Sequence, residues 1–427
     1  MQEPKKLLAQ VQEANGAVAE QKMMTVKVFK EGISGLAFSP DSQFIVTGSD
    51  KTISILNRHG ALVRNIQLPY IIAHISPNCV GGIAVSHNSQ FIVSANFEGR
   101  VQEWDSQSGE LRQTYKGHGN CWVVAISPDD QSIVSGDHLS GGDIRIWHRA
   151  SRQCRKLTGH TSPITAVAIS PNNQYVVSGS HDNTVRIWDF TSGRLLKTLL
   201  GHEGFVRSVA ISKDNQTIVS ASGDRSIRLW DLRTGAHLQT LKDPSISAQG
   251  NIAITPDEQY IVFGHFNAVE IWNLKTGKRS SAFTQLPASV GGGVAVSSDG
   301  MQIVAGDNIG NLHIWNFPPE LLAQKTADAA AKEAKSWVLS TFIEVLADPR
   351  KLSVALLQEM LTKVNHIDEF RFAYTLINIQ LQQVPAHKDP LYGDIYKCLE
   401  RLSETCLVGP SKDSKESSKQ GANYIAR

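Results

Sequence analysis

His118, His138, Asp143 and His148 crowd into one short stretch of this chain, and imidazole with carboxylate is a donor set that zinc accepts. Cys121 lies three residues from His118; a thiol nucleophile there needs a base in hydrogen-bond reach and a third group to orient that base. Gly291-Gly292-Gly293 has the backbone freedom of a phosphate loop, but such a loop continues into Lys and Ser or Thr, whereas a strand-like run follows here. The chemistry open to these groups depends on the elements that hold them.

Those elements repeat. The clearest copy is Gly159 to Asp189, GHTSPITAVAISPNNQYVVSGSHDNTVRIWD, in which apolar runs at Ile164–Ile169, Tyr175–Val177 and Val185–Trp188 read as three short strands. The first run is almost continuously apolar, as in a strand covered on both faces, while Thr184-Val185-Arg186-Ile187 alternates. Ser170-Pro171-Asn172-Asn173 and His181-Asp182-Asn183 supply hairpin turns, because Pro fixes its own φ and Asn and Asp tolerate left-handed geometry. Aligned on the last aromatic, the copies end at Leu56, Trp104, Trp147, Trp188, Trp230, Trp272 and Trp315. A period of about 41 to 48 residues in strand-rich units signals a propeller of seven blades.

These residues resemble the WD-repeat family, marked by a Gly-His pair, a small hydroxyl residue, a turn Asp and a Trp-Asp end. Blade four carries His160, Ser178, Asp182, Trp188 and Asp189 in that order; blade five carries His202, Ser220, Asp224, Trp230 and Asp231. The resemblance implies that in both blades the His, Ser, Asp and Trp form a buried hydrogen-bond chain with a structural role. Blades one, two, six and seven lack the Gly-His pair, and Leu56 replaces the Trp of blade one, so these blades are expected to have lost the network. In blade three either Asp137 or Asp143 can act as the turn acid. Under this alignment His118 is structural, Cys121 matches the apolar Ile164 and Val206, and His148 falls at the far end of its blade. No metal, no cofactor and no catalytic residue is therefore expected, and the chain is not read as an enzyme.

What remains is the rim. In similar proteins partners contact residues at the entrance to the inner strand, which the alignment carries to Pro163 and Thr165, Phe205 and Arg207, and Asn120 and Trp122. The matching positions in blades one, two, six and seven are small: Ser34, Gly81, Gly250 and Gly292. The leading expectation is a non-catalytic scaffold or adaptor that binds a protein or peptide over blades three to five. The alternative is a substrate receptor, because Trp230, Asp231 and Arg233 resemble the Trp-Asp-x-Arg box by which some WD-repeat proteins dock on a cullin-RING ubiquitin ligase adaptor.

A formal charge of +2 spread over 427 residues, with Lys and Arg scattered, offers no basic stripe for nucleic acid. No stretch of about 20 apolar residues or secretory leader is present, so no membrane is expected. The five cysteines match no disulfide or metal framework. The cytosol is the expected compartment, with the nucleus as the alternative. The domain reading is a short amphipathic helix at 1–21, an all-β seven-bladed propeller at 22–317, an α-helical bundle at 318–408 that offers a route to oligomerisation, and a Ser- and Lys-rich flexible tail at 409–427. Met23 to Phe29 is expected to supply the outer strand that blade seven lacks, closing the ring, since an open ring leaves two sheet edges unpaired.

Overall fold

The computed structural model describes residues 23–322 apart from 69–79, 118, 140, 243–250 and 285. These residues build seven antiparallel sheets of four strands each. Blade four is representative: Ile164–Ile169 innermost, then Tyr175–Ser180, Val185–Asp189 and Leu195–Leu199 outermost. Its first hairpin is set by local chemistry. Ser170 Oγ accepts from the Tyr175 amide at 2.8 Å and bonds Asn172 Oδ1 at 2.7 Å, while Asn173 takes φ 57°. A hydroxyl accepting from the amide five residues on recurs in all seven blades, from Ser39–Phe44 to Ser297–Gln302.

The ring closes as its missing strand required. Met24–Lys27 pairs antiparallel with Asn311–Asn316, with Met24 opposite Ile314 and Lys27 opposite Asn311. Blade seven is completed inward by Gln302–Gly306 and Val294–Val296. Just past the closing strand, the amides of Val28 and Phe29 both donate to Gly310 O, at 3.0 and 3.1 Å.

The core lies between blades. Val177, Val185, Ile187 and Leu199 of blade four pack against Val206, Val209, Ile218 and Trp230 of blade five. Close approach is possible because the second strand is small where the next blade meets it: a Cβ on Gly179 would stand 2.6 Å from Val206 Cγ1. Gly292 does similar work, since a Cβ there would stand 2.6 Å from Ile33 Cγ2.

The chain divides into two compact units, Met1–Pro319 and Glu320–Arg427. Of the expected helical bundle only one helical turn, 319–322, falls among the described residues. The rest of 318–408, the helix expected at 1–21 and the tail at 409–427 lie outside them.

Candidate functional site: the channel mouth of blades two to five

In blade four Trp188 Nε1 donates to Ser178 Oγ at 2.8 Å, and the same hydroxyl lies 2.8 Å from His160 Nε2. His160 Nδ1 reaches Asp182 Oδ2 at 2.7 Å, and Asp182 also accepts from the Thr161 amide and the Thr184 hydroxyl. Blade five repeats the chain through Trp230, Ser220, His202 and Asp224 at 2.8 Å per link. Burial holds both imidazoles below their ordinary pKa despite the neighbouring carboxylate. Asp182 and Asp224 lie below theirs because hydrogen bonds, from His160 and Thr184 and from Ser226 and His202, outweigh burial. The serines are fully buried and their hydroxyls spoken for, so the constellation pins a loop to a strand and presents no nucleophile.

No four-member chain is seen among the described residues of blades two, six and seven, but each keeps a shorter buried polar contact. Trp104 Nε1 donates to Ser94 Oγ at 2.9 Å in blade two, and Trp272 Nε1 to Glu270 Oε2 at 2.8 Å in blade six. In blade seven His313, stacked on Trp315, sets Nε2 3.0 Å from Asp307 Oδ2. Ser94 stands ten residues before Trp104, as Ser178 stands before Trp188, so blade two keeps the Trp–Ser link alone, whereas Glu270 and Asp307 are acceptors from the third strand and from the turn before it. In blade three the turn acid is Asp137, which accepts from the Gly119 and Leu139 amides, whereas Asp143 pairs with Lys156 Nζ at 2.6 Å. His118 lies outside the described residues. His148, opposite Ser132, stands at the other end of the blade from Asp137 and His138. Cys121 is fully buried, and burial pushes its thiol up to about 12.

The inner strands carry an irregularity that matters for the rim. Their registers shift between Cys121 and Val123, Ile164 and Ala166, and Val206 and Ser208, which leaves Trp122, Thr165 and Arg207 as bulge residues. A bulge re-aims its side chain. All three line a central channel of about 330 Å³, with His138 beside them and Ser34, Gly291 and Asn251 among the other lining residues.

Above that channel runs a row of rings. Phe97 meets Trp122 at 4.4 Å between centroids, Trp122 stacks on His138 at 5.7 Å, His138 meets His181 edge-on at 5.8 Å, and His181 stacks on Phe205 at 4.3 Å. The Arg207 guanidinium ends the row 5.9 Å from the Phe205 ring. Burial, then the charge of Arg207, holds the His181 imidazole below its ordinary pKa. Phe205 is 47% exposed, and Leu139, next to His138, is more so.

The other rim positions differ in availability. Thr165 Oγ1 donates to Gly179 O and Val206 O, tying blade four to blade five. Asn120 is withdrawn at 4% exposure, its backbone oxygen accepting from the His138 amide, and Pro163 O accepts from the His181 amide at 3.0 Å. Trp122 is half-buried on Gly81, where a Cβ would come within 3.1 Å of its indole. Phe97, His138 and His181 were not read as rim residues. The available signal was a ring-bearing residue directly after the second strand of blades two, three, four and six, the last being Phe266.

The model of the WD domain, G-beta repeat, matches residues 22–57, 109–148, 151–189 and 193–231. The chain carries WD repeats. The matches fall on blades one, three, four and five, with the closing strand included in the first; the unmatched blades are the three that keep only a shorter buried polar contact. Among similar proteins, the nuclear distribution protein nudF 1 of Talaromyces marneffei is 33% identical over 124 residues, covering 28% of this chain and 27% of that one. The human serine-threonine kinase receptor-associated protein is 28% identical over 120 residues, covering 28% and 32%. Periodic tryptophan protein 2 of Arabidopsis thaliana is 25% identical over 160 residues, covering 37% and 17%. The aligned region thus spans less than a third of each of these relatives.

At the opposite end of this WD-repeat propeller's fifth blade, Trp230 is buried and Asp231 Oδ1 accepts from the Thr234 amide and hydroxyl at 2.6 and 2.7 Å. Arg233 is exposed in the same turn. It therefore sits on the face opposite Arg207.

Proposed function

We propose that this WD-repeat protein is an interaction scaffold that seats a protein segment across the channel mouth of blades two to five. The observation that carries the reading is the unbroken row Phe97, Trp122, His138, His181 and Phe205 ending at Arg207. Aromatic and Arg side chains dominate interface energies, and a rigid row spanning four blades presents them at little conformational cost. The serine-threonine kinase receptor-associated protein, named for an association with a receptor, is in keeping with such a role.

The test is crosslinking mass spectrometry of the endogenous protein carrying a photoreactive residue at position 205 or 233. Partner crosslinks confined to position 205 support the reading. Crosslinks confined to position 233 replace it with the second reading, docking on a ligase adaptor through Trp230, Asp231 and Arg233, which the exposure of Arg233 on the opposite face favours.

A further inference from the structure

Resting on that scaffold reading, we propose that the occupant of the channel mouth is an acidic peptide segment with an apolar anchor, its carboxylate on Arg207 and its anchor on Phe205 and Trp122. The first argument is charge. Among the described residues that line the channel, Arg207 is the one permanently charged side chain, and no Asp or Glu stands with it. Arg207 is exposed and makes no ion pair among the described residues, so its planar fork of donors is free to take a carboxylate through two parallel bonds.

The turn acids of blades three to five are committed elsewhere. Asp182 is held by His160 and Thr184, Asp224 by His202 and Ser226, and Asp137 by two backbone amides. A cationic ligand therefore finds no carboxylate among the described residues of the channel lining, and most of the ring faces it would need are stacked on one another. A nucleic-acid strand is disfavoured for a related reason: phosphate tracking takes a series of cations and splayed rings that accept bases, and this mouth has one cation and closed stacks. Away from the rings, Gly291 and Ser34 keep the channel wall low, so a chain can lie with one edge over that wall and its side chains toward Phe205 and Trp122.

The experiment measures fluorescence anisotropy of the full-length chain with labelled decapeptides of alternating Glu and Phe, Gln and Phe, Glu and Ser, or Lys and Phe, and with a decamer of uridine. The Glu-Phe probe is expected to bind tightest, by about tenfold or more, and Arg207→Glu to remove that preference and favour Lys-Phe at unchanged Tm. Tighter binding of Lys-Phe or oligouridine to the unaltered chain, or Glu-Phe affinity indifferent to Arg207→Glu, overturns the proposal. Partner crosslinks at position 205 that survive Arg207→Glu leave the scaffold standing while the acidic ligand falls. Their absence in the unaltered chain removes the scaffold reading itself.

Discussion

Thr25 Oγ1 lies 3.0 Å from His313 Nδ1, across the one sheet in which the N-terminal strand meets the last strand of the ring. With His313 Nε2 3.0 Å from Asp307 Oδ2, the imidazole bridges the threonine hydroxyl and the carboxylate. His313 and Asp307 are fully buried, so the closing strand is latched to the interior as well as paired along its backbone.

Removing residues 1–27 takes away the partner of Asn311–Asn316 and exposes a sheet edge, and an unpaired edge recruits other chains. The truncated protein is expected to elute as aggregate in size-exclusion chromatography. Thr25→Val keeps the strand and deletes one hydrogen bond, at a cost of about 1 kcal/mol by thermal or urea melting. A monodisperse truncation as stable as the parent would rule the latch out.

Acid should loosen blades four and five in two steps. The folded imidazoles of His160 and His202 sit below the 6.5 of the unfolded chain, so on acidification the unfolded state takes up protons first and stability declines as pH falls below 6.5. Asp182 and Asp224 sit below 3.8, so their contribution persists until pH falls through that value toward the folded ones. Melting curves at pH 7.5, 6 and 5, taken as sampling points of about one unit, should show a falling Tm. The His160→Asn, His202→Asn double variant should start lower and decline less, and parallel slopes would count against the assignment.

Trp122 and Phe205 should separate in their effects. Trp122 is half-buried on Phe97 and Gly81, so Trp122→Ala is expected to lower stability by about 2 kcal/mol, less than the ~3–5 of a fully buried aromatic, and also to weaken partner capture. Phe205 is 47% exposed, and Phe205→Ala should weaken capture by about tenfold or more with Tm nearly unchanged. Calorimetry paired with capture by purified protein checks both, and an unaltered affinity for Phe205→Ala moves the contact site elsewhere.

Between blades two and three, Arg149 reaches the buried Glu103 through two bonds, 2.6 and 3.0 Å, and its guanidinium covers Phe91 at 3.7 Å. Arg149→Met should cost about 3 kcal/mol, the low end for breaking a buried pair, because Tyr115 OH still donates to Glu103 at 3.3 Å. Adding Glu103→Leu should recover most of that loss in a double-mutant cycle, and strict additivity of the two would refute the coupling.

The seven-blade period, the closing strand and the hydrogen-bond chains of blades four and five were legible in the order of residues, because each is written within one repeat or at a fixed offset from it. His160, Ser178 and Asp182 recur as His202, Ser220 and Asp224, and a missing outer strand is a matter of counting. The substitutes in blades six and seven were not legible. A buried indole N–H or imidazole needs an acceptor of any kind, and Glu270 and Asp307 meet that need from positions outside the repeat's pattern, whereas Ser94 keeps the repeat's own offset of ten residues from its Trp. The rim divides in the same way. Alignment placed Trp122, Thr165 and Arg207 at the inner-strand entrances, and the structure adds that all three are bulge residues lining the channel. The row itself was decided only by the closed ring. Phe97, His138 and His181 recur after the second strands of successive blades, but that they meet Trp122 and Phe205 is not written in any one repeat; they touch because ring closure brings the turns of adjacent blades within stacking distance while each bulge turns one side chain toward the axis.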